Sequence, residues 1–121
     1  MRRPALLVSL LAATTFLSLP APAAALTPEE IRATFATGAP FYATTPAGAS
    51  YAIVLNSDGT ASRTPKGSKV TTIAGTWHLS NDGYCSKWGK SPESCYTIEK
   101  GIGQYNILDS SGRTIAYWKT K

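Results

Sequence analysis

At 121 residues and a formal charge of +5, the chain has room for one domain behind a leader and lacks the charge density of a nucleic-acid-binding protein. Its basic residues, among them Lys66, Lys69, Lys87, Lys90, Lys100, Arg113, Lys119 and Lys121, are spread along the chain rather than gathered in a stripe with interleaved aromatics. A single histidine, His78, excludes multi-histidine metal sites.

Residues 1–25 read as a cleavable secretory signal peptide. Arg2 and Arg3 supply the cationic start, and an apolar stretch from Ala5 to Leu19 follows, interrupted by Ser9, Thr14, Thr15 and Ser18. At about 15 residues it is too short to cross a ~30 Å hydrocarbon core, and no charged stop-transfer segment follows, so no membrane anchor is expected. Pro20 and Pro22 break the helix ahead of Ala23, Ala24 and Ala25, whose small side chains suit a signal peptidase and place the cut near Ala25. No cysteine lies at that cut, which closes the lipid-modified route. The expected location is the bacterial periplasm or the medium. The mature chain of about 96 residues would carry about +3 once Arg2 and Arg3 are removed.

Thr27, Pro28, Glu29 and Glu30 form a helix-start signature, in which Thr27 caps, Pro28 fits the first turn and Glu30 completes a capping box. The spacing of Ile31, Phe35 and Ala36 predicts a helix over 28–37 with one narrow apolar face, ended by Gly38 and Pro40. Beyond Pro40 the period changes to two. Tyr51, Ile53 and Leu55 alternate with Ala52 and Val54, the Asn56-Ser57-Asp58-Gly59 segment turns the chain, and a polar run from Thr60 to Thr64 completes a hairpin. Lys66 to Ser68 make another turn. Val70 to Leu79 is the longest predicted strand, with Ile73, Gly75, Trp77 and Leu79 on one face and Thr72, Ala74, Thr76 and His78 on the other. Asn81 to Gly83 turn the chain, and Tyr84 to Trp88 pairs with Ser94 to Glu99 across a loop containing Gly89 and Pro92. Gly101 to Gly103, Tyr105 to Leu108, Asp109 to Gly112 and Thr114 to Lys119 supply turn, strand, turn and strand. The prediction is therefore mainly β: one short helix, then an antiparallel meander of seven or eight strands, with 26–121 a single domain. A small barrel or barrel-like sandwich follows, because an open sheet would leave edges unpaired and an apolar face in water.

Cys85 and Cys95 fall on the two paired strands, and an exported chain meets an oxidising compartment, so a cross-strand disulfide is expected. On the chain-entropy model, closing so short a loop stabilises the fold by about 3 kcal/mol. Ten positions separate the thiols, unlike a Cys-x-x-Cys redox or metal pair.

No catalytic constellation is legible, and no metal or cofactor is expected. His78 falls on the face opposite Trp77, and Ser80 and Ser86 lack a nucleophile-elbow context. Asp58, Asp82, Glu93, Glu99 and Asp109 mostly occupy predicted turns, where a carboxylate bonds local amides. Asn56-x-Asp58-Gly59 and Asp109-x-x-Gly112 share part of a calcium loop's pattern without its further oxygen ligands. The aromatic residues Trp77, Trp88, Trp118, Tyr51, Tyr84, Tyr96, Tyr105 and Tyr117 fall in strands, where they fill a core or line a mouth.

Gly75-Thr76-Trp77 resembles the Gly-x-Trp start of lipocalin- and avidin-like (calycin) barrels. The wider pattern of Thr27-Pro28-Glu29-Glu30-Ile31, Asp58-Gly59-Thr60, Tyr84-Cys85 with Trp88, Cys95-Tyr96 and Asp109-x-x-Gly112 is similar to a group of small exported proteobacterial domains of unknown function. The resemblance implies no catalytic residues. Single-disulfide barrels that inhibit periplasmic or secreted hydrolases are similar in layout.

Two readings follow, beside a third, a small hydrolase using His78, which would require a carboxylate and a nucleophile within hydrogen-bond reach of that ring. In the first, the protein is a non-enzymatic exported binding module, an inhibitor or protective partner for a hydrolase, which meets a protein or glycan outside the cytoplasm. Trp88, beside Gly89 and Lys90, would stand in the loop pinned by the disulfide, and this rigid loop would present Trp88, Lys87, Lys90 and Glu93, with Tyr84 and Tyr96 beside them. In the second it is a calycin-like carrier of a small apolar ligand in the barrel interior. The carrier needs an internal cavity lined by aromatics, whereas the inhibitor needs a filled core and a protruding loop.

Overall fold

The computed structural model describes residues 24–67 and 71–120. The predicted signal peptide up to Ala23, the end of the turn predicted over Lys66 to Ser68, and Val70 lie outside them. The elements are α1 (Pro28–Phe35) followed by β1 (Phe41–Thr44), β2 (Ser50–Leu55), β3 (Thr60–Pro65), β4 (Ile73–Leu79), β5 (Tyr84–Trp88), β6 (Ser94–Lys100), β7 (Tyr105–Leu108) and β8 (Thr114–Lys119). Every strand pairs antiparallel with its neighbours in sequence, and β1 pairs with β8, so the meander closes into an eight-stranded barrel. Closure leaves no edge strand to be protected. No helix among the described residues is long and apolar enough to cross a membrane.

The helix starts as its sequence dictates. Thr27 Oγ1 accepts from the Glu30 N–H at 3.2 Å, and Glu30 Oε1 accepts from the Thr27 N–H at 3.0 Å. It stops two residues short of the predicted Thr37. Ala36 leaves helical geometry at ψ 48°, and the amide of Gly38 donates to Leu55 O across the fold at 3.2 Å instead of continuing the helix. Ile31 and Phe35 form the buried face, and Phe35 is the hub of an aromatic plug. Its ring centroid stands 5.0 Å from those of Phe41, Tyr105 and Trp118, each in an edge-on arrangement. These residues lie at the start of β1, the start of β7 and near the end of β8, so α1 stoppers one end of the barrel. Leu26 is buried beside it, and its amide donates to Ile98 O at 2.7 Å.

The fourth strand begins at Ile73, with Thr71 and Thr72 outside it, and matches β6 in length rather than exceeding it. Its faces are as the alternation predicts: Trp77 is buried, and Ala74, Thr76 and His78 are exposed. Trp77 Nε1 donates to Asn56 O at 2.8 Å, which ties the middle of β4 to the turn before β3. The hydrophobic core is the barrel interior, filled from alternate positions of all eight strands.

Candidate functional site

Inward positions are not all filled by large side chains. Ala43 on β1 and Ala116 on β8, which are neighbouring strands, face Ser86 on β5, and a cavity of about 160 Å³ remains between them. Leu55 and Trp118, on which the α1 plug rests, form its floor. Ile53, Tyr84, Tyr96 and Ile107 line its walls. The rim, at the end opposite the helix, carries Thr45, Tyr51, Arg63, Trp88 and Ile115. A bulge helps to build it: the β7–β8 ladder passes from Ile107–Ala116 to Leu108–Thr114 and skips Ile115, which turns towards the mouth.

Eight-stranded barrels are wide enough either to be filled or to hold one small ligand, and this one retains space. Tyr84 is buried between Tyr96 and Trp118, with ring centroids 5.4 and 5.3 Å away. Burial pushes its phenol well above the usual range, with the Tyr96 phenol adding to the effect, so it stays protonated. Trp88 stands opposite Gly75. A Cβ on Gly75 would come within 2.6 Å of the Trp88 ring, so only glycine lets the indole lie against β4. The Arg63 guanidinium carbon sits 4.9 Å from the Trp88 ring centroid and 5.7 Å from that of Tyr51.

The residues predicted as one contact surface divide between the two sides of the sheet. Tyr84, Trp88 and Tyr96 point into the barrel and line the cavity. Trp88 closes β5 rather than standing in the following loop, and it is half-buried against the core. Lys87, Lys90 and Glu93 are exposed outside. Cys85 and Cys95 are directly opposite each other on β5 and β6 and form the predicted disulfide, also on the outer side.

Glu93 has a partner that local reading did not supply. His78 Nε2 lies 2.7 Å from Glu93 Oε1 and Nδ1 lies 3.1 Å from Leu79 O. Both acceptors are oxygens, so both ring nitrogens donate only in the imidazolium form. The Leu79 carbonyl and then the Glu93 carboxylate accordingly raise the His78 pKa above its ordinary value. The stability this pair adds is present below the unfolded-state pKa and is lost as pH rises through the folded-state pKa. Both groups are exposed, so solvent screens the pair. An NMR titration of the His78 ring protons should give a pKa above the free-histidine value that falls on Glu93→Gln; an unchanged pKa in that variant would exclude the contact.

The same ring touches no hydroxyl among the described residues, and the Cys85 sulfur near His78 and Glu93 is committed to the disulfide. The turn aspartates serve their own backbone. Asp58 Oδ1 accepts from Thr60 N and Oγ1 at 2.9 and 2.6 Å. Asp109 Oδ1 accepts from Ser111 N and Oγ at 2.9 and 2.6 Å and from Arg113 N at 3.0 Å. The Thr60 and Ser111 hydroxyls, with these amides, hold both carboxyls below the usual range.

Arg63 was hidden in the polar run from Thr60 to Thr64. The signal that finds it is parity: the turn at Asn56–Gly59 sets Leu55 opposite Ala61, which puts Arg63 opposite Ile53 on the inner face. Comparison with family models, with curated proteins and with solved structures returned no match.

Proposed function

We propose that this is an exported, non-enzymatic carrier domain that holds a small apolar ligand inside the barrel, the function expected of a calycin-like layout. The observation that carries this reading is the aromatic-walled cavity, stoppered by α1 at one end and open at the other. An inhibitor presenting Trp88 from a protruding loop fits less well, because that indole lies inside the barrel mouth. The disulfide is consistent with an oxidising compartment. Cleavage near Ala25 is supported by the burial of Leu26, the first residue after the cut, whereas Ala24 and Ala25 are exposed.

The test is titration with toluene, a neutral probe, followed by the fluorescence of the tryptophans that line the cavity. Saturable binding is expected, and Ala116→Leu, which extends a side chain into the space, should abolish it while the fold remains cooperative. Absence of saturable binding, or binding that survives Ala116→Leu unchanged, would remove the carrier reading.

A further inference from the structure

Arg63 is the one arginine or lysine among the residues lining the cavity, at an inward position of β3 between Ala61 and Pro65. Its Nε is buried and has no hydrogen-bond partner among the described residues. Nor does a carboxylate pair with it: among those residues the only ion pair is His78–Glu93, on the outside of the barrel. A buried N–H donor without an acceptor is costly, and natural cores avoid one. Tyr51 and Trp88 offset part of that cost through their ring faces, but a ring face does not satisfy the planar fork of N–H donors that a guanidinium carries.

The chemistry that completes this arrangement is a planar, singly charged acceptor. A carboxylate matches the guanidinium fork with two parallel hydrogen bonds and carries one charge against one cation. A phosphate monoester would bring more negative charge than one arginine neutralises, and no lysine lines the cavity. The space behind Arg63 sets the size of the rest of the ligand. A cavity of about 150 Å³ accommodates benzene, and this one matches it in size at about 160 Å³. Long acyl chains exceed it.

Resting on the carrier reading, we infer that the ligand is a small monocarboxylic acid with an aromatic or short aliphatic body, its carboxylate docked on Arg63 between Tyr51 and Trp88 and its body in the space towards Trp118. The buried Tyr84 phenol, held protonated, and the Ser86 hydroxyl give the cavity neutral polar groups and no competing negative charge.

The experiment compares benzoate, benzyl alcohol and toluene as probes of the full chain with its disulfide intact, read by calorimetry and tryptophan fluorescence. Benzoate should bind about ten- to a hundredfold more tightly than benzyl alcohol, the range expected of a charge-assisted hydrogen bond. Arg63→Gln should erase that preference and leave toluene affinity unchanged, and Arg63→Lys, which keeps the charge without the fork, should retain part of it. Equal affinity for benzoate and benzyl alcohol in the wild type, or a benzoate preference that survives Arg63→Gln, would overturn the inference. If toluene binds but benzoate holds no advantage, the head group alone is refuted; if none of the three binds, the carrier reading falls with it. Should Arg63→Gln fail to fold, the wild-type comparison and Arg63→Lys decide the matter.

Discussion

Replacing Gly83 by alanine should destabilise the domain by about 3 kcal/mol or more, at the upper end of what an added methyl group costs. A Cβ at Gly83 would lie 1.9 Å from the carbonyl oxygen of Tyr96 and 2.9 Å from its carbonyl carbon. Both atoms are backbone, so no rotamer change relieves the clash. The strands themselves must part, at the point where Tyr84 faces Tyr96 and next to the Cys85–Cys95 bridge. The disulfide keeps β5 and β6 covalently joined, so the variant should remain associated there while losing the Tyr84–Tyr96 ring contact. Urea unfolding followed by tryptophan fluorescence checks this. A variant within about 0.5 kcal/mol of wild type would show that Gly83 does not approach β6 this closely.

Phe35→Ala is the second change with a large expected effect, about 3 to 5 kcal/mol from lost burial and the cavity left behind. Phe35 is almost wholly buried, and three rings converge on it. The consequence reaches the site, because Trp118 is both a partner of Phe35 and part of the cavity floor. Removing the hub unseats the stopper, so toluene affinity should fall along with stability. Phe35→Leu, which refills most of the volume, should restore both in large part. Loss of stability with unchanged probe binding in Phe35→Ala would show that the helix end does not support the cavity.

Much of the architecture was written in local chemistry. The Asn-Ser-Asp-Gly, Asn-Asp-Gly and Asp-x-x-Gly segments each punctuate the chain, and the starts of β3, β5 and β8 and the ends of β2 and β7 follow from them without tertiary information. The capping box at Thr27 likewise fixes the start of α1. Where local reading erred, a long-range contact decided the outcome. The helix ends at Phe35 because Gly38, at φ 77°, hands its N–H to Leu55 O. The alternation of Ile73, Gly75, Trp77 and Leu79 assigned the faces of β4 correctly, since hydropathy and parity agree there.

The site was harder to read because in it hydropathy and parity disagree. Arg63 belongs to a polar strand and looks solvent-facing by composition; only the register fixed by the preceding turn brings it inside. Trp88 sits next to Gly89 and Lys90 and reads as a loop residue, yet it shares parity with Tyr84 and Ser86, and the missing side chain at Gly75 makes room for it. The His78–Glu93 contact depends on the path of the loop between β5 and β6, which no periodicity encodes. Inward charge, inward small residues and a glycine beneath a tryptophan are each weak alone, and their convergence on one mouth marks the site.

The barrel interior holds accessible space beside its packed core. A crystal of the protein under xenon pressure tests for that space, since cavities of this size with largely apolar walls take up xenon. A xenon peak is expected between Ala116, Ile107 and Tyr84, behind Arg63, with the barrel unchanged around it. Diffraction without such a peak, with Trp88 or Ile115 folded into the space, would contradict it.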